Sequence, residues 1–232
     1  MPAPRPATAK KGDFGNATRA KKRLVTARQP LTRERISLAA LELIERGGLD
    51  AFSTRRLGAA LGCEAMALYN HFPSKDAVLD AVVGRMMDKL VIPPRHANGW
   101  VERARAFARS YRGLSRLHPK AFPLLATRRF NTPSTLRLLD GIFAAFAEDG
   151  IAGRDAAYVF RTLSNFCGGT ALDELAGLRQ AAEAAPDWTT LGLPHLASAA
   201  PWLSPPNFDD AFEVGLDVLL GGLSRRIVPG AV

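Results

Sequence analysis

The chain is predicted to be all-α, with a three-helix unit near its N-terminus and a larger helical unit after it. Three observations carry this. Apolar residues recur at helical spacing in most segments beyond residue 31. No stretch alternates long enough to make a strand. Gly or Pro stands where each helical pattern ends. At 232 residues the chain holds one large domain or two modest ones. Val91-Ile92-Pro93-Pro94 is the break that divides it, because residues before proline leave the helical region. The expected division is an arm over 1–30, a unit over 31–91 and a unit over 92–232.

Residues 1–30 carry eight basic side chains against Asp13, a charge of +7 out of +9 for the whole chain. Rich in Pro, Ala, Gly and Thr and lacking apolar periodicity, this arm is expected to be disordered in isolation. Its basic cluster, Lys21 to Arg28, leads straight into the first helix, the placement of an arm that binds nucleic acid. A solubilising extension is the competing reading, and a transit peptide a remote one. The first helix is expected from Thr32 to Arg46, with Thr32 as cap, Glu34 against the helix dipole and Gly47-Gly48 as stop. Ile36, Ala40, Leu43 and Ile44 give it one apolar face, and Phe52 is expected to plug the core.

Ser53 to Lys75 is the most informative stretch. Ser53 or Thr54 caps a short helix with Leu57, Ala60 and Leu61 on one face, and Gly62 stops it. A second short helix starts near Glu64, with Leu68 inward and Tyr69 near its exposed end. Gly58 costs about 1 kcal/mol in a helix interior relative to Ala, and a side chain that small suits a closely crossing helix. Two short helices around a glycine turn make a helix-turn-helix. The next helix runs from Lys75 to about Leu90 behind Ser74, with Ala77, Val78, Ala81, Val82, Met86 and Leu90 inward.

Beyond the break, a helix is expected over Trp100–Leu117, its row Arg103, Arg105, Arg109, Arg112 and Arg116 reading as a solvated face. A short helix follows over Ala121–Phe130. Another, over Ser134–Glu148, opens at Pro133 and packs through Leu136, Leu139, Phe143 and Phe146. A long helix is expected from Arg154 to about Ala182. A proline-punctuated stretch holds one short helix near His195, and the last helix covers Asp209–Arg226. Two helices have the character of a dimer interface. The last is striped by Phe208, Phe212, Leu216, Leu219, Leu220 and Leu223. The long one carries Phe160, Leu163, Cys167, Ala171, Leu175 and Leu178, with Gly168-Gly169 offering a close approach. A purely intramolecular core is the alternative.

The segment AFSTRRLGAALGCEAMALYNHFPSKDAVLDAV, residues 51–82, resembles the DNA-binding segment of TetR-family repressors. The likeness covers about Leu31 to Leu90 and includes Gly58, the Leu-Gly turn, the Leu-Tyr pair, the following His-Phe and Lys75. It is looser beyond, through HPKAFPLLATR and FDDAFEVGLDVLLGGL, where the tetracycline-repressor branch is the most similar. The resemblance implies that Thr54, Tyr69, His71 and Lys75 contact phosphates and that Arg55 contacts a base. Ala65, Met66 and Ala67 would form the tip facing the base edges. That tip has no hydrogen-bonding side chain: Ala and Met can only pack, favouring a thymine methyl, whereas Arg55 could fork onto guanine. The resemblance also implies a homodimer on a palindromic double-stranded DNA operator, released by a small-molecule effector, with repression the family's usual sense.

An effector pocket is expected among His118, Phe122, Phe143, Phe146, Phe160, Asn165 and Phe166, where large apolar surface meets isolated polar groups. No cofactor is expected. The chain has no P-loop, G-x-G-x-x-G, H-E-x-x-H or C-x-x-C pattern, and its four histidines share no metal-ligand spacing, so nothing calls for an enzyme. Neither His96 nor His118 can be assigned to a metal-chelated ligand. Cys63 and Cys167 read as small buried thiols. No apolar run approaches the ~18 residues of a membrane span, so a cytoplasmic protein without membrane association is expected. A ligand-independent DNA-binding or nucleoid-associated protein using the same motif is the alternative function.

Overall fold

Hydroxyl side chains open three of the four helices of the N-terminal unit. Thr32 Oγ1 accepts from the Arg35 amide at 3.2 Å at the head of α1 (Arg33–Gly47). Ser53 Oγ does the same for Arg56 at 3.2 Å in α2 (Thr54–Leu61), and Ser74 Oγ for Ala77 at 3.1 Å in α4 (Lys75–Met87). Each cap satisfies an amide that no helical carbonyl can reach. Between α2 and α4 lies α3 (Ala65–Tyr69), only five residues long. The computed structural model describes residues 30–94, 99–128, 130, 132–180 and 188–227. All of the expected arm except Pro30, His96, and the expected end of the long helix near Ala182 fall outside them.

One apolar cluster holds these four helices. Ile36, Ala40, Ile44, Phe52, Leu57, Leu68, Phe72, Val78, Val82 and Met86 are each at most 4% exposed. The inward face of α4 is wider than expected: Leu79, Val83 and Met87 are buried too, whereas Ala77 and Ala81 are only half-buried. The cause is a second set of neighbours, since α4 packs on α1 and also on α6 (Phe122–Thr127) and α7 (Pro133–Glu148). Polar links reinforce this joint. Glu45 of α1 accepts from the Ala121 amide at 2.8 Å, and Lys120 donates to the Arg46 carbonyl at 2.8 Å. Arg128 pairs with Asp80 at 2.7 Å and Asp76 at 3.3 Å on α4.

The remaining helices are α5 (Trp100–Leu117), α8 (Gly153–Gln180), α9 (Pro194–Ala199) and α10 (Phe208–Ile227), with two 3-10 turns between α9 and α10. Helices account for all regular structure among the described residues. The arginine row of α5 is not the solvated face its composition suggested. Arg103 and Arg112 are 4% and 6% exposed. Arg103 clamps the end of α7, donating to the Ala145 carbonyl, to Glu148 at 2.8 Å and to Asp149 at 3.3 Å. Arg112 donates to both oxygens of buried Glu174 on α8, at 2.6–3.1 Å, and lies 4.3 Å over the Phe212 ring. Arg105, Arg109 and Arg116 meet Asp217, Glu213 and Asp209, which recur every fourth residue along antiparallel α10.

Three packing expectations also shift. Leu136 is 51% exposed, and α7 packs through Thr135, Ile142 and Ala145 together with the expected Phe146. On α10 the stripe expected at a dimer interface turns inward: Phe212, Leu216 and Leu220 are at most 1% exposed within one protomer, while Val214 and Val218 are 64% and 72% exposed. Close approach of α8 and α10 occurs at Gly215 rather than at Gly168-Gly169. A Cβ on Gly215 would stand 2.8 Å from the Phe166 ring, whereas one on Gly169 would meet nothing.

Candidate nucleic-acid interface

The two motif helices cross through a single residue. A Cβ at Gly58 would stand 2.8 Å from the Cys63 carbonyl oxygen and 3.1 Å from the Ala65 amide nitrogen, so no larger residue fits without moving backbone. Gly62 turns the chain in the left-handed region at φ 69°, and the Cys63 amide closes the turn on the Gly58 carbonyl at 2.9 Å. α3 is anchored inward by Leu68 alone, 1% exposed. Its exit is pinned by Arg33, which donates to the His71 carbonyl and lies 4.1 Å over the Phe72 ring. Such a short helix has little stability of its own, so these contacts position it.

The expected contact residues stand in or beside α2, α3 and the start of α4, with Arg55, Met66, Tyr69 and Lys75 exposed and the others half-buried. Met66 is 70% exposed and stands free of the core at the tip, with Ala65 and Ala67 half-buried on either side. Tyr69 is 41% exposed at the end of α3, and His71 follows, half-buried. Thr54 opens α2 and Lys75 opens α4, the latter exposed with Nζ 5.5 Å from the Phe52 ring centroid. Arg55 is exposed and has no hydrogen bond or ion pair among the described residues, whereas its neighbour Arg56 is held by the Ala51 carbonyl at 2.8 Å. An exposed apolar Met66 is thus accompanied by exposed donors at Arg55, Tyr69 and Lys75. Apolar groups can pack on base edges, and donors can bond phosphates.

The residues expected around an effector are distributed along the C-terminal helices. Phe122 is fully buried and meets Tyr111 edge-on at 6.0 Å; Phe146 is 3% exposed. Phe143 and Phe160 pair across α7 and α8 at 5.4 Å, and Phe166 stacks on Phe212 at 5.4 Å. Asn165 is exposed on the outer side of α8. His118 closes α5 with its Nε2 buried and without a hydrogen-bond partner among the described residues. Burial holds its pKa below the ordinary value, with Lys89 adding and Glu45 opposing. Beside this set, burial raises the Tyr111 hydroxyl well above its usual range and pushes the Cys167 thiol up to about 12. Two surface grooves of about 350 and 340 Å³ are lined by none of the seven. Among the described residues, no three His, Cys, Asp or Glu side chains are placed to hold a metal, and no helix is long and apolar enough to cross a membrane.

Sequence reasoning missed the residues that join α1 and α4 to the helices after residue 91, Glu45, Lys120 and Arg128, and also Arg85, which links α4 to α1. Their partners lie 48 to 76 positions away and leave no local pattern. Only the acidic spacing Asp76, Asp80 on α4 hinted at a cationic neighbour.

Comparison with known proteins agrees with this architecture. Residues 36–82 match the family model of bacterial regulatory proteins of the tetR family, and residues 92–227 match that of the tetracyclin repressor-like C-terminal domain. The chain is 33% identical over 212 residues to the class A tetracycline repressor protein from transposon 1721 of Escherichia coli, covering 87% of this chain and 93% of the relative. It is 27% identical to the Streptomyces coelicolor TetR family protein ActR in complex with actinorhodin, with a TM-score of 0.74 over 88% of this chain and all of that one. TetR class A with 5a,6-anhydrotetracycline and magnesium aligns at a TM-score of 0.62 and 28% identity over 84% and 99% of the two chains. The chain belongs to the TetR family of bacterial regulatory proteins.

Proposed function

We propose that the chain is a cytoplasmic transcriptional repressor that binds a palindromic operator as a homodimer and leaves it when a small organic effector binds. The observation that carries the DNA-binding part is the α2–α3 unit. An apolar tip, Ala65–Ala67, exposed at Met66, is flanked in sequence by Thr54, Arg55, Tyr69, His71 and Lys75 on a frame that Gly58 keeps close-packed. Arg55 is the base-reading side chain, since its guanidinium has no partner among the described residues and can fork onto guanine. Thr54, Tyr69, His71 and Lys75 hold the phosphates, and residues 1–30 add attraction for the duplex.

The dimer is supported by the apolar surface left on α10 by Val214 and Val218 and on α8 by Tyr158, 50% exposed. Two recognition helices on a two-fold axis read half-sites about one turn, ~34 Å, apart. The effector site lies in residues 92–232, among His118, Phe122, Phe143, Phe146, Phe160, Asn165 and Phe166. Similar proteins are tetracycline repressors, and structures of relatives hold actinorhodin or an anhydrotetracycline, which supports release by a ligand. Selecting bound duplexes from fragmented genome tests this reading. A palindrome of that spacing, released by a compound connected with the neighbouring genes, is the expected result. Recovery of unrelated sequences, with no compound releasing them, contradicts it in favour of a ligand-independent binder.

A further inference from the structure

The groove of about 340 Å³ between α1, α4 and the start of α7 has a composition the DNA-reading surface does not explain. Three guanidiniums from three helices line it: Arg33 of α1, Arg85 of α4 and Arg137 of α7. Arg33 is committed to the His71 carbonyl and the Phe72 ring. Arg85 uses only its Nε–H, on Ser37 Oγ at 3.0 Å, which leaves its terminal nitrogens without a hydrogen-bond or ion-pair partner among the described residues. Arg137 is exposed and has no such partner among them. Thr132 and Ser134 line the same wall, their hydroxyls bonded to each other at 3.0 Å while Thr132 Oγ1 also caps α7.

Two carboxylates share the groove, Glu34 and Asp88, leaving one net positive charge among five ionised groups. Glu34 is already satisfied. Its own backbone amide and the Thr32 hydroxyl hold it below the usual carboxylate range, with Arg85 and Arg33 adding. The opposing walls are close: a Cβ on Gly84 of α4 would stand 3.7 Å from Ser134 Oγ of α7. Free guanidinium donors and hydroxyl-bearing residues therefore line one groove of small-ligand size. A guanidinium has no acceptor of its own, and its strongest partner is an oxyanion taken in two parallel bonds.

We propose that this groove binds a small anion carrying a phosphate or carboxylate group, held by Arg85 and Arg137 with the Thr132 and Ser134 hydroxyls beside it. Such a ligand touches α4, which follows directly from the recognition helix, and α7 of the C-terminal half. Its binding is thereby coupled to the relative placement of the two. By reciprocity, it changes operator affinity by the same factor as operator changes its own. The site is separate from the effector residues proposed above and does not depend on them.

Inorganic phosphate is the probe, compared with chloride at equal ionic strength on the full chain without DNA. At a phosphate concentration ten times its Kd, the thermal midpoint should rise by about 3–6 °C. The ³¹P line of phosphate should broaden on titration with protein. Arg137→Ala, a change at an exposed position, and Arg85→Lys, which keeps the charge, should each weaken phosphate binding about ten-fold. Arg225→Ala, on exposed α10 surface, should leave it unchanged. Equal shifts in phosphate and chloride, or phosphate binding indifferent to both groove variants, would overturn the proposal. So would a third outcome: free protein unmoved by phosphate while Arg137→Ala weakens operator binding and lowers its salt slope, which would make these arginines contacts to the DNA backbone.

Discussion

The Arg112–Glu174 pair offers a direct test of how the C-terminal half is held together. Both side chains are almost fully buried, at 8% and 7% exposure, and the guanidinium reaches both carboxylate oxygens. Removing one partner from a buried pair costs about 3–5 kcal/mol, because the other charge stays behind unpaired. Here the lower end applies to Glu174→Ala, since Arg112 keeps the Phe208 carbonyl at 3.1 Å and the exposed Asp209 at 2.8 Å. For a domain of this size, a loss of about 3 kcal/mol lowers the thermal midpoint by about 6–12 °C. Arg112→Met should cost a similar amount, since it strands Glu174. The double variant Arg112→Met/Glu174→Leu removes both charges and should recover most of the loss. Scanning calorimetry on the four proteins closes a double-mutant cycle. If the double variant loses the sum of the two single losses, the pair is not coupled, and the account of α5 as an ion-paired spine fails.

Gly58→Ala would gain up to about 1 kcal/mol of helix propensity, yet its Cβ must displace the Cys63 carbonyl, 2.8 Å away. A lower thermal midpoint together with lost operator binding is expected, and a stabilised variant with full DNA binding would contradict the crossing described. Acid should loosen α10. Hydrogen bonding from Arg116 holds Asp209, and hydrogen bonding from Arg109 holds Glu213, below their ordinary values of 3.8 and 4.5. Groups with depressed folded pKa stabilise above the unfolded value and lose that stabilisation as pH falls through the folded one. The thermal midpoint should therefore drop below about pH 4.5, and less steeply in Asp209→Asn. Val218→Asp places a charge on apolar surface that is 72% exposed in one protomer. Sedimentation should find a folded monomer where the unmodified chain is a dimer, and an unchanged dimer would move the interface elsewhere.

Local chemistry made the N-terminal unit legible. Caps at Thr32, Ser53 and Ser74, the turn at Gly62 and the crossing at Gly58 each act within a few residues of their cause, so their positions can be read along the chain. The surface of α3 follows equally, because a five-residue helix with Leu68 inward leaves Met66 and Tyr69 nowhere to go but out. What stayed hidden depends on partners far away. An arginine every third or fourth residue looks solvated until acids with matching spacing appear 93 to 112 positions later. The stripe Phe212, Leu216, Leu220 is equally suited to a protomer core and to a dimer interface; only the packing of α5 and α8 against it decides. Leu136 was misread for the same reason, since Thr135 and Ile142 are drawn inward by α4 and α8 while Leu136 rotates to solvent.

The central claim is that the α2–α3 surface reads sequence through Arg55 and grips phosphate through Lys75. Alanine variants of both, measured on operator, on operator with the half-site guanines exchanged, and on random duplex, test it most directly. Loss of Arg55 should cost about 1–3 kcal/mol on operator and far less on the other two, because a bidentate guanine contact is lost. Loss of Lys75 should weaken operator and random duplex alike and lower the salt slope by about one. If Arg55→Ala instead loses affinity equally on all three duplexes, Arg55 is a backbone contact, and base reading passes to the Ala65–Ala67 tip.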